Sequence, residues 1–218
     1  MPRNNETCRT LPDPPTLKPG VSREIFDENS RDDHRRSSLT SRMPVGIEIF
    51  DDVFSQSADV IDYLENLGQW ELAQVTGAVP GAASSRTSTS VGIPFLSFGN
   101  PPLIHEFVKS VWQRMSNYAF VYGIPVYQYE HIIFNRYAPG EKFDAHPDYF
   151  AGSNRVFSAV FYLNSVAAGG TTRFTHFDFE VEARAGRLVI FPANYLFTHE
   201  GTAPTSEIKY SAAFWARA

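Results

Sequence analysis

The chain holds a single cysteine, Cys8, among 218 residues. That count excludes an internal disulfide framework and a thiolate zinc cage, and it fits a reducing compartment. No stretch approaches the roughly 18 consecutive apolar residues of a membrane-spanning helix, and the opening MPRNNETCRT lacks the apolar run of a secretory signal. The cytoplasm is therefore the expected location. Positive charge is also in short supply, with 19 Lys and Arg against 24 Asp and Glu, a formal net charge of −5 at pH 7. Such a balance argues against a nonspecific grip on nucleic acid or an anionic membrane, and neither is an expected partner.

What is present is a core-forming composition. Apolar residues make up 43% of the chain and aromatics 14%, which excludes a fully disordered protein. The length suits one domain of ordinary size with a tail. Residues 1–43 carry most of the irregularity: charges of both signs, 5 of the 15 prolines, and Phe26 as their one aromatic. A stretch so poor in apolar surface cannot offset its ordering entropy, so it reads as a flexible N-terminal tail. Residues 44–218 read as the folded domain, with helices up to about residue 122 and a β core over 123–218.

In GIEIF, Ile47 and Ile49 alternate with polar neighbours, the mark of a strand. Val60, Ile61, Leu64 and Leu67 then recur at helical spacing before Gly68, with Ser57 or Asp59 as the expected N-cap. The small, polar stretch from Gly77 to Asn100 reads as a long surface loop or a lid. Asn100-Pro101-Pro102 opens the clearest helix, whose stripe of Ile104, Phe107, Val108, Val111, Trp112 and Met115 is core material. After Tyr122 come short strand-like runs without intervening helices: YQYEHIIFNRY, RVFSAVFYLN, GTTRFTHFDFEVE, GRLVIFPA and IKYSAAFWAR. That order predicts a mainly β protein with flanking helices, an antiparallel sandwich such as a jelly roll.

Six histidines stand at positions 34, 105, 131, 146, 176 and 199. His105 on the helix and His131 in a strand read as structural. In AHPDYF, His146 and Asp148 are two residues apart, and on extended backbone such residues face the same side, so imidazole and carboxylate can grip one ion. Pro147 biases His146 toward that extended conformation. A third ligand has to come from elsewhere in the chain, and His199 in FTHEG is the candidate. Two imidazoles and one carboxylate on one face of an ion leave the opposite positions open, as non-haem Fe(II) enzymes require; zinc is the alternative ion. The rival pair His176 and Asp178 falls on the polar side of an amphipathic strand, TTRFTHFDFEVE, and reads as solvent-facing. Lys209 lies ten residues past His199 within an apolar strand pattern. A desolvated ammonium requires a partner there, which makes Lys209 a candidate anion anchor.

Taken together, NRYAPGEKFDAHPDYF, RVFSAVFYLNSVAAGGTTRF, GRLVIFPANYLFTHEGTAP and IKYSAAFW, in that order, resemble the prolyl 4-hydroxylase-like branch of the Fe(II)/2-oxoglutarate-dependent dioxygenases. The resemblance covers roughly residues 127–218. It implies a double-stranded β-helix, with iron held by His146, Asp148 and His199 as the catalytic centre. It further implies that 2-oxoglutarate is the co-substrate, bound at its distal carboxylate by Lys209 and Tyr137, with Thr172 near that pocket. O2 is the oxidant, with ascorbate a candidate reductant. Phe143 stands where members often carry a tyrosine, so that hydroxyl is missing. Asp148 occupies the position that halogenating relatives leave small, which points to hydroxylation.

The expected activity is hydroxylation of a C–H bond in an amino acid, a peptidyl side chain or a related small molecule, with release of succinate and CO2. The iron and co-substrate carry the hard chemistry while the protein supplies ligand geometry, orientation and exclusion of water. Residues 77–100 and 149–155 are the expected moving segments, and Arg86 and Trp215 are candidate substrate contacts. The competing readings are a non-catalytic jelly-roll binding module and a cupin-like metalloenzyme that needs no 2-oxoglutarate.

Overall fold

The strand-like runs of the C-terminal half pair with one another and recruit shorter strands from the N-terminal half. A computed structural model of the chain describes residues 43–74, 85–95 and 99–218. Most of the expected tail, residues 1–42, lies outside these. The strands are β1 (Glu48–Phe50), β2 (Glu71–Leu72), β3 (Thr89–Ile93), β4 (Gln128–Tyr129), β5 (Ile132–Tyr137), β6 (Phe143–His146), β7 (Arg155–Tyr162), β8 (Thr172–Phe174), β9 (Phe179–Val181), β10 (Leu188–Pro192), β11 (His199–Gly201) and β12 (Lys209–Arg217). The helices are α1 (Ser57–Leu67) and α2 (Pro102–Val121). A major sheet runs β1-β10-β7-β12-β5-β3-β2, with β4 also on β12, and a minor sheet runs β6-β11-β8-β9; every pairing is antiparallel. Two facing antiparallel sheets with this strand content form the double-stranded β-helix expected above.

Residue parity decides what each face of the major sheet meets, because successive side chains point to opposite sides. On one side Ile132, Phe134, Phe157, Ala159, Phe161, Leu188, Ile190, Ala212, Phe214 and Ala216 are buried against the two helices. Phe107 of α2 sits at the centre of that layer, with the rings of Phe54, Phe134, Phe161 and Phe214 4.9–5.9 Å away. The opposite parity faces the minor sheet. There Tyr162, Val189 and Phe191 pack with Phe174, Val181 and Phe197, while Asn135, Tyr137, Ser158, Lys209 and Ser211 line a polar portion of the same interior. One face thus builds the core, and the other carries a buried polar lining.

Several local expectations need correction. The Gly77–Asn100 stretch is not wholly loop: Thr89–Ile93 is an inner strand between β2 and β5, with Ser90 opposite Asn135 and Val91 opposite Phe134. Its small polar residues hide the alternation, and the partner strands supply the order; residues 75–84 and 96–98 lie outside the described residues. Neither Ser57 nor Asp59 caps α1. The N-cap is Gln56, and the Ser57 hydroxyl instead donates to the Phe54 carbonyl at 3.0 Å. Trp112 sits at the edge of the α2 stripe and is 44% exposed, because the layer closes over Val108, Val111 and Met115. His131 lies between β4 and β5, exposed rather than structural.

Candidate metal centre

His146 closes β6 and His199 opens β11, and these adjacent antiparallel strands place the two residues directly opposite one another. Their ring centroids are 4.6 Å apart. Each Nδ1 donates to a backbone carbonyl, His146 to Asp144 at 2.7 Å and His199 to Phe197 at 3.0 Å. That fixes the tautomer and leaves each Nε2 lone pair directed inward. Asp148 follows Pro147 in a bend, so i and i+2 meet as expected although β6 ends at His146. Its Oδ1 is 3.9 Å from His146 Nε2 and its Oδ2 3.7 Å from His199 Nε2. The three donor atoms all lie within 4.8 Å of one another.

The donor set fits a divalent cation. Two donors on one transition-metal ion stand roughly 3–3.5 Å apart at bond lengths near 2.1 Å, so small rotations of these side chains close the cage. Burial, reinforced by His199, pushes His146 down to about 4, which keeps the ring a neutral ligand at neutral pH. Burial alone would raise Asp148, but the two imidazoles and the Trp215 indole beside it hold its carboxyl below the usual range. Ser158 Oγ sits near this carboxylate without a hydrogen bond of normal geometry. The result is an ionised carboxylate facing two imidazoles, all on one side.

The rival pair does not form such a site. His176 and Asp178 occupy the turn of the β8–β9 hairpin, exposed, with Asp178 at φ 48°. The expected continuous strand breaks there because Asp tolerates left-handed backbone. The solvent-facing reading holds, by a different geometry.

Deeper between the sheets lies the cation. Lys209 starts β12 opposite Tyr137 of β5 and is 3% exposed. Its Nζ lies 5.3 Å from the Tyr137 ring centre and 5.4 Å from that of Tyr162. Among the described residues no carboxylate pairs with it, and burial alone pushes its pKa down to about 7. The Tyr162 hydroxyl donates to Thr172 Oγ1 at 2.7 Å, which brings the expected Thr172 into the same lining. A methyl group on Gly201 would stand 3.8 Å from the Tyr137 hydroxyl, so this pocket lies within two residues of His199. Tyr162 escaped the sequence reading; its parity with Ser158 on β7 is the signal that marks it as facing inward.

The rim of the site is aromatic and basic. Phe143 stacks on the His146 ring with centroids 3.6 Å apart. Arg86 lies over Phe143 at 4.6 Å and hydrogen-bonds Ser88 at 3.0 Å and Asn135 Oδ1. Trp215 turns toward Asp148 beneath the Arg155 guanidinium, which lies 4.1 Å from the ring centre.

The sequence profile of the 2OG-Fe(II) oxygenase superfamily matches residues 132–217, the segment that supplies the ligand triad and Lys209. That segment belongs to the 2OG-Fe(II) oxygenase superfamily. Fe(II) and 2-oxoglutarate are the metal and co-substrate that membership implies, and the triad is the fitting metal site. Prolyl 4-hydroxylase 2 of Arabidopsis thaliana is 30% identical over 117 residues, covering 50% of this chain and 36% of that protein. The chain thus spans well under two thirds of the length of the curated relatives it matches. Among solved structures, the viral collagen prolyl hydroxylase of Paramecium Bursaria Chlorella virus-1, in its 2OG complex, aligns with TM-score 0.61 at 21% identity, covering 79% of this chain and 96% of that one. A prolyl hydroxylase from Trichoplax adhaerens, in complex with a hypoxia inducible factor oxygen degradation domain peptide fragment, aligns with TM-score 0.63 at 18% identity, covering 83% and 86%. These two likenesses establish the shared fold.

Proposed function

We propose that this protein is an Fe(II)- and 2-oxoglutarate-dependent dioxygenase that hydroxylates a prolyl side chain in a peptide. The observation that carries the reading is the pairing of an inward-facing His-Asp-His set with a buried lysine that has no carboxylate partner among the described residues. His146, Asp148 and His199 would hold the iron, leaving its other face for co-substrate and oxygen. Lys209 would take the distal carboxylate of 2-oxoglutarate, assisted by the Tyr137 hydroxyl, while Thr172, already bound to Tyr162, would complete the wall. Iron with 2-oxoglutarate supplies the oxidising chemistry. The chain's own residues place the dianion, and the phenylalanine layer behind the sheet keeps the pocket from bulk water.

The choice of a prolyl substrate rests on the company the chain keeps, since both curated and solved relatives carry prolyl hydroxylase names. Phe143 offers no hydroxyl at the rim, so substrate contact on that side would be by ring packing and by Arg86. The test is an aerobic assay with Fe(II), 2-oxoglutarate and proline-containing peptides, with free proline as a parallel arm. Succinate release coupled to a 16 Da gain on the peptide, abolished in His146→Ala, is the expected result. Gain on free proline alone reassigns the substrate to an amino acid; turnover that survives Lys209→Ala supports the cupin-like reading instead.

A further inference from the structure

The three ligands are not held alike. Each histidine is fixed by its strand and by a ring hydrogen bond to a neighbouring carbonyl. Asp148 has neither, for it stands in a bend that leads into a turn with positive φ at Gly152 and Asn154. The N–H that follows it, on Tyr149, donates to the Ala193 carbonyl at 2.8 Å, and the rest of its support comes from across the major sheet. Arg155, the first residue of β7, donates from Nη1 to the Asp148 carbonyl at 3.2 Å and sits over the Trp215 ring, whose indole lies beside the Asp148 carboxylate. The other edge of the same guanidinium makes a two-pronged pair with Glu130, Nε to Oε1 at 2.9 Å and Nη2 to Oε2 at 2.6 Å.

Glu130 itself is anchored: its backbone N–H donates to the Trp215 carbonyl at 3.0 Å. Arg217 adds a second cation, 3.9 Å from Glu130 Oε1, while its Nε donates to the Ser153 carbonyl at 2.7 Å inside the Asp148 turn. The Ser153 hydroxyl accepts from the N–H of Phe150 at 3.1 Å, closing the turn on itself. A planar fork gripped at both oxygens is oriented as well as bound, which a point charge would not be.

From this geometry we infer that Glu130 and Arg155 are positioning residues for the metal: Glu130 orients the guanidinium, and the guanidinium sets both the backbone of Asp148 and the indole against its carboxylate. Glu130 lies outside the segment shared with the superfamily, residues 132–217. Neither side chain touches the ion site. Both act through Asp148, as outer partners of metal ligands do when their loss weakens affinity about 10–100-fold. The inference rests on the reading of the triad as a metal centre.

The test is Mn(II) and Co(II) titration of the full chain by calorimetry, together with thermal unfolding of the metal-free protein. The variants are Glu130→Gln, Glu130→Ala, Arg155→Lys and Glu130→Asp. As a control, Glu65→Ala breaks a comparable pair with Arg136, at 3.2 Å, on the far side of the sheet. Glu130→Ala and Arg155→Lys are expected to bind both ions at least 10-fold more weakly, Glu130→Asp to recover part of the loss, and Glu65→Ala to bind as the parent does whatever its Tm. Parent-like affinity in a folded Glu130→Ala, or equal weakening in Glu65→Ala, overturns the inference and leaves the metal centre standing. Failure of the parent chain itself to bind either ion removes the metal centre and the inference with it.

Discussion

Replacing Lys209 with methionine tests this buried amine directly, because the structure sets both the sign and the size of the effect. Burial pushes this amine from 10.5 to about 7. A shift of about 3.5 units corresponds to about 5 kcal/mol of differential interaction between its charged and neutral forms. For a base with a depressed folded pKa, the folded state binds fewer protons than the unfolded state between the two values. Stability of the protein without co-substrate therefore rises as pH climbs from about 7 to 10.5, and the penalty is at its greatest below pH 7. Methionine has a similar shape and no charge, so Lys209→Met is expected to be more stable than the parent at pH 6–7. Relaxation and lost ring contacts trim the gain to about 1–4 kcal/mol, the range seen when buried charges give way to apolar groups. The difference should shrink steadily toward pH 10. Urea unfolding of both proteins at pH 6, 7, 8 and 9 measures it. A variant less stable at pH 7, or a difference flat across that range, would falsify the claim that Lys209 is a desolvated cation awaiting an anion. The same substitution is expected to weaken 2-oxoglutarate binding by 30-fold or more at pH 7, since a charge-assisted bond to a buried carboxylate contributes about 2–3 kcal/mol.

Other outcomes follow from the same contacts. Removing metal with a chelator should lower Tm, and Mn(II) at 100 times its Kd should restore about 2.7 kcal/mol of stability in the parent but none in Asp148→Ala, read by thermal unfolding. Phe107→Ala empties the centre of a fully buried ring cluster and should cost about 3–5 kcal/mol in urea unfolding; a loss under 1 kcal/mol would contradict the packing described. At Gly169, φ is 70° and an added methyl would fall 2.2 Å from the Ala203 carbonyl oxygen. Gly169→Ala should therefore lose more than about 2 kcal/mol and also weaken 2-oxoglutarate binding, because the adjoining Gly170 packs against the Lys209 stem.

Much of the site could be read from order along the chain. His146 and Asp148 declare themselves because an i, i+2 spacing on extended backbone is a local geometry, and Lys209 because a charge inside an apolar strand pattern demands an explanation. The jelly roll follows from a succession of short strand patterns without helices between them. Where the reading slipped, the cause was local ambiguity. Thr89–Ile93 has too few large side chains to announce a strand, yet two partners hold it as one. The alternation through Thr175–Asp178 imitates a strand, yet the chain turns there with Asp178 in left-handed backbone.

Residue types and short-range periodicity, which are properties of adjacent positions, thus determined most of the secondary structure, the fold class and the candidate donors by chemistry. Only the assembled sheets decided that His199 faces His146 across paired strands, that Tyr162 reaches Thr172, and that Glu130 steadies Asp148 through Arg155. Those are contacts between residues 7 to 53 positions apart, and the longer of them close only when strand register sets which side chain stands opposite which.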